Sequence, residues 1–380
     1  MTLRKYTVVE LYAGIARTWE PFRSWRRCKL GLLVDANQYA ADTYKLNHPS
    51  APYITADLRK ITAQKIKDLA GGRVDILLGC PPCQGFSDTG KRNPRDPRNN
   101  HIGIFGKFVS SLKPLAIVME NVPLLATSRR FANFTKLLER LKYRWTAAVI
   151  NAAVYGSCQT RQRLVLIAIK ESVGVDPRLP KPTHGGGQRY FSYRHGRLMT
   201  LSEDRVGLLG ATPAAGRAGK SVDVFSDPIG NEPVPYLSEV LSGLPSLGSR
   251  AAKELSHIPW CHGARMVKRM RHVGEGKRWR GGRDHFSQSY GRLHRKGLAR
   301  TITSFFSNPG SGRFWHPTEP RTLTLREAAR VQGIEDSFRF ENPPSKASVL
   351  VGNALDLAIA EVAYLSVRNA MNELQRPLTK

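Results

Sequence analysis

The chain has few cysteines, few acidic residues and no long apolar run. Its five cysteines include no paired zinc-type clusters, which predicts free thiols in a reducing compartment and no metal site. No stretch of about 18 apolar residues occurs, so we expect no membrane span. The N-terminal residues enter a strand pattern without the apolar core of a signal peptide, so we expect a cytoplasmic protein.

The shortage of acids leaves a strong excess of positive charge. The 380 residues contain 59 Lys and Arg against 30 Asp and Glu, which gives a net charge of +29. A surface of this kind attracts polyanions, and nucleic acid is the first expectation. The alternative is that the charge reflects a basic proteome or serves solubility.

Short apolar runs alternate with helical patterns through the first 170 residues, and one more short strand is expected before Asp57. The longer runs are YTVVELYAG (6–14), KLGLLVD (29–35), VDILLGCPP (74–82), LAIVMENV (115–122), WTAAVINAAVYG (145–156) and RLVLIAIK (163–170). This alternation predicts an α/β fold with a doubly wound, mostly parallel sheet. Ligands bind such sheets at the carboxyl ends of the strands, where Asp35, Cys83 and Glu120 are expected.

The second half of the chain differs from the first in composition. Residues 171–320 are rich in Gly, Pro and Arg, and 250–300 are densely basic. The stretch 246–310 around them is called the basic region. Order returns at 321–334, where Thr324 and Glu327 predict a capping box at the start of a helix. The last segment is expected to begin with a Gly-Asn turn at 352–353 and to continue as an apolar helix packed on the first sheet.

The stretch GCPPCQGFS (79–87) places Cys83 directly after two prolines. One interpretation is a turn around a buried thiol, and the other is a nucleophile held on a loop, because a thiolate attacks carbon when its pKa and access permit. Glu120 and the arginines of QTRQR (159–163) supply a tunable acid and fork-shaped donors. Together these groups suit attack on a pyrimidine ring.

A Gly-containing turn after the first strand predicts close approach of the backbone to a ligand at Gly14. Asp35, at the end of the second strand, is placed for a ribose hydroxyl, and Asp57 could accept a hydrogen bond from an adenine amine. Each acid could equally be a solvated or capping residue. The turn lacks the GxGxxG pattern of a dinucleotide site.

Seven motifs in one order carry a resemblance to a known family. They are ELYAGIA (10–16), PPCQGFS (81–87), DPRNN (96–100), ENV (120–122), QTRQR (159–163), RTLTLREAARVQG (321–333) and VGNAL (351–355). In these residues the chain resembles the DNA (cytosine-5)-methyltransferases over nearly its whole length. The resemblance implies a Rossmann-like S-adenosylmethionine-dependent methyltransferase sheet with a smaller, irregular target-recognition domain.

The resemblance also implies roles for individual residues. Cys83 would attack carbon 6 of a flipped cytosine, and Glu120 would contact ring nitrogen 3 and the exocyclic amine. Arg163 would hold the carbonyl oxygen, while Arg161 would support the cysteine side of the site. Carbon 5 would then take the methyl group of S-adenosyl-L-methionine.

The resemblance assigns two further sets of residues. The cofactor set is Tyr12, Ala13, Gly14, Ile15, Asp35, Ala36, Asp57, Leu58, Pro82, Asn353 and Ala354. The DNA-binding set is Gln84, Ser87, Lys91, Arg92, Arg95 and Arg98 in a catalytic loop at 85–100, with Arg278 and Arg280 in the basic region. Arg and Lys most often contact guanine in the major groove, which favours a GC-containing target.

Some positions depart from the family pattern. Tyr12 replaces a Phe, Ala16 and Arg17 replace two glycines, and an aromatic is missing at Ala36. His101 stands where an apolar residue commonly packs on adenine, and the last turn contains Leu-Asp in place of Val-Pro. These departures put the shape and strength of the cofactor site in question, but none touches the predicted catalytic residues.

The predicted organisation is a catalytic and cofactor-binding domain at 1–184 plus 321–380, and a target-recognition domain at 185–320. The expected partner is double-stranded DNA, bound by a monomer in a prokaryotic or phage-type setting, with a cognate restriction endonuclease as a further possibility. Three alternatives remain open at this point: a catalytically silent DNA-binding protein, a transfer-RNA cytosine methyltransferase and a Rossmann oxidoreductase.

Overall fold

The computed structural model describes residues 5–82, 100–201, 230–280, 289–341 and 343–373. The strands are β1 (Tyr6–Leu11), β2 (Cys28–Asp35), β3 (Tyr53–Thr55), β4 (Ile76–Gly79), β5 (Ala116–Asn121), β6 (Tyr143–Asn151), β7 (Gln159–Thr160), β8 (Gln162–Lys170), β9 (Arg189–Ser192), β10 (Arg197–Thr200) and β11 (Ala299–Arg300). The helices are α1 (Glu20–Arg23), α2 (Gln38–Asn47), α3 (Ala63–Leu69), α4 (His101–Leu112), α5 (Arg129–Arg140), α6 (Leu237–Val240), α7 (Arg250–Glu254), α8 (Ala264–Arg271), α9 (Leu325–Val331), α10 (Pro344–Asn353) and α11 (Leu357–Glu373).

Seven strands form the central sheet, in the order β3-β2-β1-β4-β5-β8-β6. The first five pair in parallel, whereas β8 is antiparallel to both of its neighbours, β5 and β6. The chain builds outward from β1 to β3 and then returns to place β4 on the other side of β1. This reversal creates the crevice at which doubly wound sheets bind ligands, and it confirms the predicted fold class.

Both faces of the sheet are covered, which explains why its strands are continuous apolar runs. Every residue of β1 is buried. Side chains from α1, α2 and α11 complete the apolar core on one face, and those from α3, α4 and α5 complete it on the other. Because neither face meets water, the strands show no alternation of polar and apolar residues.

The C-terminal segments confirm one local prediction and correct another. The hydroxyl of Thr324 accepts from the Glu327 backbone amide, and the Glu327 carboxylate accepts from the Thr324 amide at 2.8 Å, so the capping box at α9 is present. The Gly-Asn pair at 352–353 does not open the last helix as predicted. It ends α10, and α11 starts only after a break, because the backbone at Ala354 is extended.

The second half of the chain is joined to the first by a short strand pair. The strand β11 lies parallel to β7, with Ala299 opposite Gln159 and Arg300 opposite Thr160. A third apolar cluster lies around α9 and α10 and includes Ile302 and Phe306 from the basic region. The predicted boundaries at 184 and 320 remain predictions, and these contacts show where the segments on either side of them meet.

Among the residues that the structure describes, no single helix is both long and apolar enough to cross a membrane. The helices α10 and α11 meet that criterion only as a pair, bent by 44° at their junction. Within the same residues, no three His, Cys, Asp or Glu side chains are grouped so that they could hold a metal ion.

Candidate active site

The end of β4 leads directly into the predicted nucleophile. Cys83 itself lies outside the described residues, but the backbone that precedes it is defined. The Asn121 side chain, at the end of β5, donates a hydrogen bond of 2.8 Å to the carbonyl oxygen of Pro81. Neighbouring strand ends are therefore tied together immediately before Cys83.

Cys80 shares this turn but has different surroundings. Its Sγ atom lies 3.4 Å from the hydroxyl of Thr18. Burial raises the pKa of the Cys80 thiol well above its usual value, and the negative charge of Glu120 raises it further. A thiol in these surroundings stays protonated and is a poor nucleophile.

Glu120 and Arg163 form a close ion pair at the same edge of the sheet. The Arg163 Nε atom lies 2.8 Å from a Glu120 carboxylate oxygen, and the two side chains are only 16% and 11% exposed. Antiparallel pairing explains the contact, because the start of β8 lies beside the end of β5, with Glu120 opposite Val165. Residues that are about 40 positions apart in sequence thus meet at the carboxyl edge.

Arg161 is fully buried and points away from solvent. It donates hydrogen bonds to the carbonyl oxygens of Ile302 at 2.9 Å, Ala354 at 3.0 Å and Gly352 at 3.3 Å. Burial lowers the pKa of its guanidinium to about 9, and the nearby positive charge of Arg163 acts in the same direction. The described contacts make Arg161 a brace between the basic region and the α10–α11 junction.

The turn after β1 has an unusual backbone. Tyr12, Gly14 and Ala16 all adopt positive φ values of 53° to 59°. Apart from its chain neighbours, a Cβ atom at Gly14 would meet no atom of the described residues within 4 Å, so the described part of the chain leaves this side of the turn open. The amides of Ala13, Gly14 and Ala16 already donate within the protein, so a ligand would meet this turn by close approach to its backbone.

Asp35 and Asp57 lie on the same side of the sheet as this turn, at the ends of β2 and β3. The Asp35 carboxylate accepts from the backbone amides of Gly14 at 2.9 Å and Asn37 at 2.8 Å. Asp57 is held by the side chain of Arg59, and these hydrogen bonds lower the pKa of Asp57 to about 2. Both acids thus act as local caps and still present carboxylate oxygens at this edge.

Two of the residues that depart from the family pattern, Tyr12 and His101, contact each other. The rings of Tyr12 and His101 meet edge to face with their centres 5.5 Å apart. The Tyr12 hydroxyl lies 3.2 Å from Nδ1 of His101. Burial lowers the pKa of His101, and the charge of Arg59 lowers it further, so the neutral imidazole provides a flat wall.

The remaining cofactor candidates occupy varied positions. Ala13, Ile15, Leu58 and Ala354 are buried, Pro82 is half-buried, and Ala36 and Asn353 are exposed. Ile15 and Ala354 belong to the same apolar cluster, which brings the turn after β1 towards the α10–α11 junction.

A scan against family models matches residues 6–366 to the C-5 cytosine-specific DNA methylases. The chain belongs to this family. It is 31% identical over 308 residues to the type II methylase M.HgiDII of Herpetosiphon aurantiacus, a match that covers 79% of this chain and 77% of the relative. It is 26% identical over 356 residues to the type II methyltransferase M.DdeI of Desulfomicrobium norvegicum, with 88% and 80% covered.

Solved structures show the same fold at lower identity. The Entamoeba histolytica methyltransferase EhMeth superposes with a TM-score of 0.64 at 15% identity, covering 98% of this chain and 100% of the other. The S. pombe Dnmt2 methyltransferase gives a TM-score of 0.63 at 15% identity, again with 98% and 100% covered.

Most of the predicted DNA-contacting residues of this methylase fall outside the described part of the chain. These are Gln84, Ser87, Lys91, Arg92, Arg95 and Arg98. Arg278 is half-buried and forms an isolated bridge with Gly291, whereas Arg280 is exposed. Their roles towards DNA remain predictions.

A buried polar network that was not predicted from the sequence lies behind the carboxyl edge of the sheet. One oxygen of Asp356 accepts from the Ser157 hydroxyl at 2.7 Å and from the Gln159 amide at 2.6 Å. Gln159 also donates to Gln332 at 2.7 Å and accepts from the Ile302 amide at 3.2 Å. The only signal in the sequence was the replacement of the usual proline by Asp356.

Glu10 was also missed, although it belongs to the first motif. Its fully buried carboxylate accepts from the backbone amide of Trp19 at 3.0 Å. Burial raises the pKa of Glu10 to about 8. An acid inside an apolar strand was visible in the sequence and should have suggested a partner beyond the turn.

Proposed function

We propose that the protein transfers a methyl group from S-adenosyl-L-methionine to carbon 5 of a flipped cytosine in a specific sequence of duplex DNA. The observation that carries this proposal is the Glu120–Arg163 ion pair of 2.8 Å at the carboxyl edge of the sheet. It lies beside the strand end that leads into Cys83, where Asn121 holds the Pro81 carbonyl. The acid and the guanidinium match the polar atoms of a cytosine ring, and Cys83 follows Pro82 directly in the chain.

Cys83 begins the reaction by attacking carbon 6, so a bond forms between its sulfur and that carbon. The target must leave the base stack, because carbon 6 is shielded within the duplex. Glu120 supports ring nitrogen 3 and the exocyclic amine, and Arg163 holds the carbonyl oxygen. Electron density from the carbon 5–carbon 6 double bond then builds up at carbon 5, which accepts the methyl group. The bond between that methyl group and the cofactor sulfur breaks, which leaves a neutral thioether. A base removes the proton from carbon 5, and the sulfur–carbon bond breaks to release the thiolate.

Arg161 acts through other residues in this scheme. Two of its hydrogen bonds to backbone carbonyls tie the strand that carries Arg163 to the α10–α11 junction, and the third ties it to Ile302. We assign Arg161 the role of a positioning residue that keeps the Glu120–Arg163 ion pair and the turn after β1 correctly placed relative to each other.

The turn after β1 fits an adenosyl amino acid. Its left-handed backbone at Gly14 is open within the described residues, and His101, against which Tyr12 packs edge to face, supplies a flat wall. Asp35 and Asp57 supply acceptors near neighbouring strand ends. When bound, the cofactor supplies an electrophilic methyl group on a sulfonium centre. The other proposed cofactor-binding residues are Ala13, Ile15, Ala36, Leu58, Pro82, Asn353 and Ala354.

The decisive experiment replaces the nucleophile. We expect Cys83→Ser to abolish methyl transfer from labelled cofactor while DNA binding in a gel-shift assay is kept. Cys261→Ser is the matched control, because Cys261 is an exposed free cysteine and should be dispensable. Full methyl transfer by Cys83→Ser would refute the mechanism.

A trapping assay tests the covalent step separately. Duplex DNA that carries 5-fluorocytosine at the target should form a denaturation-resistant adduct with the wild-type protein and none with Cys83→Ser. The same assay with transfer RNA distinguishes the substrate class, and we expect adduct only with duplex DNA.

A further inference from the structure

Phe305 is an apolar side chain in an unusual place. It is 65% exposed, whereas the other exposed large apolar side chains in the described ranges reach at most 46%. Single exposed apolar residues are common and need no explanation by themselves. The case for Phe305 therefore depends on how it is held and on what lies beside it.

The turn that presents Phe305 is anchored on both sides. The next residue, Phe306, is fully buried, and its backbone amide donates to the carbonyl of Thr303 at 3.2 Å. The carbonyl of Phe305 accepts from the backbone amide of Asn308 at 2.9 Å and from the Ser311 hydroxyl. A side chain on a turn restrained in this way is presented at low entropic cost.

The same turn rests directly on residues of the proposed site. The carbonyl of Ile302 accepts from Arg161 at 2.9 Å, and the Ser304 hydroxyl donates to the Asn353 side chain at 3.0 Å. Phe305 follows Ser304 immediately. The exposed aromatic ring is thus carried by the turn that Arg161 holds at Ile302 and that contacts Asn353, a proposed cofactor residue.

We propose that Phe305 packs against the base stack of duplex DNA next to the target cytosine. This inference rests on the proposed function. Removing a cytosine from the stack exposes the faces of its neighbours, and an apolar ring is suited to cover such a face. The strong positive charge of the chain attracts DNA but offers no apolar contact, which Phe305 would supply.

The test compares three substitutions at this position. The target is first located by bisulfite sequencing of DNA from cells that express the protein. A duplex with 2-aminopurine at that cytosine then reports extrusion by its fluorescence. We expect Phe305→Ala to weaken DNA binding by about 5- to 150-fold and to reduce the fluorescence gain. Phe305→Leu should be intermediate, and Phe305→Trp should stay near wild type.

Leu69→Ala is the matched control, since Leu69 is 41% exposed on α3, within the cofactor-binding half of the chain. It should leave DNA binding and fluorescence unchanged. Cofactor affinity and melting temperature should be unchanged in every variant. Wild-type DNA binding and fluorescence in Phe305→Ala would overturn the inference, and so would a loss of cofactor affinity or stability of the same size as the loss of DNA binding. If the wild-type protein methylates no cytosine, the proposed function fails instead.

Discussion

At the scale of single residues, the site is defined by surroundings that give similar groups different properties. Cys80 and Cys83 belong to one short motif, but Cys80 lies against Thr18 and its pKa is raised by burial and by Glu120. A nucleophile needs the opposite conditions, namely access and a stabilised thiolate. Arg161 and Arg163 differ in the same way, because one is enclosed by carbonyl oxygens and the other faces a carboxylate.

Glu120 is the proposed acid at the carboxyl edge of the sheet. We expect Glu120→Gln to lower the rate of methyl transfer by about 100-fold or more, because a Gln side chain cannot exchange a proton with the ring. DNA affinity should change only a few-fold. Single-turnover transfer of labelled methyl and a gel-shift titration measure the two quantities.

Glu139→Gln is the control for this substitution, since Glu139 interacts with the indole of Trp145 on the surface of α5. It should retain the wild-type rate. A wild-type rate in Glu120→Gln would remove Glu120 from the mechanism.

At the scale of elements, the site depends on how closely α10 approaches the basic region. A Cβ atom at Gly352 would overlap the backbone of Thr303 and Ser304. Glycine is therefore required at position 352 because any side chain would clash with this backbone. Its φ does not require glycine, since it lies outside the left-handed range. This close approach lets Arg161 reach Gly352, Ala354 and Ile302 at once.

We therefore expect Gly352→Ala to reduce the free energy of unfolding by about 1–3 kcal/mol, the usual cost of overpacking. Methyl transfer should fall as well, because the turn at Ser304 and the junction at Asn353 would be pushed apart. Urea unfolding and a transfer assay at saturating cofactor measure both effects.

Gly103→Ala on α4 separates this contact from the general effect of removing a glycine. Beyond its own helix, no atom of the described residues lies within 4 Å of a Cβ atom at Gly103, so the substitution should leave stability unchanged or slightly higher. If Gly352→Ala behaves like Gly103→Ala, the close approach is unimportant.

At the scale of the whole molecule, the positive charge is unevenly distributed. The helix α8 carries four Lys and Arg residues and no acid, and Met270 anchors it in a cluster with Trp315. Its exposed Arg265, Lys268 and Arg271 are suited to contact phosphates, which give affinity without sequence information.

Neutralising Arg265, Lys268 and Arg271 together to Gln should weaken DNA binding and flatten its salt dependence. Each lost phosphate contact reduces the slope of log K against log salt by about 0.9, so three contacts account for roughly 2.7. Preference for the target sequence should persist. Titrations at several salt concentrations, with target and non-target duplexes, test this.

The control removes the same charge elsewhere, by changing Lys45, Lys65 and Lys67 to Gln. These residues are exposed on α2 and α3, which flank the first strands of the sheet. An equal change of slope in both triple variants would show that only net charge matters.

Much of the fold could be predicted because its signals are local. The strand runs, the capping box of Thr324 and Glu327 and the mostly parallel sheet follow from patterns within about ten residues. The Gly-Asn pair at 352–353 was misplaced because glycine and asparagine commonly form turns, whereas here Gly352 serves a contact with residues nearly 50 positions earlier. Local preference cannot reveal a contact of that kind.

The sequence by itself determined the family, through seven motifs in order, and the positions of the apolar strands, because both depend on residue identity and short spacing. The tertiary structure was needed to show that Glu120 meets Arg163, since the contact requires β8 to run antiparallel beside β5. The tertiary structure was also needed to show that Arg161 donates hydrogen bonds to three backbone carbonyls and that the nearby Phe305 is exposed. These features arise from packing between distant segments, which no local pattern encodes.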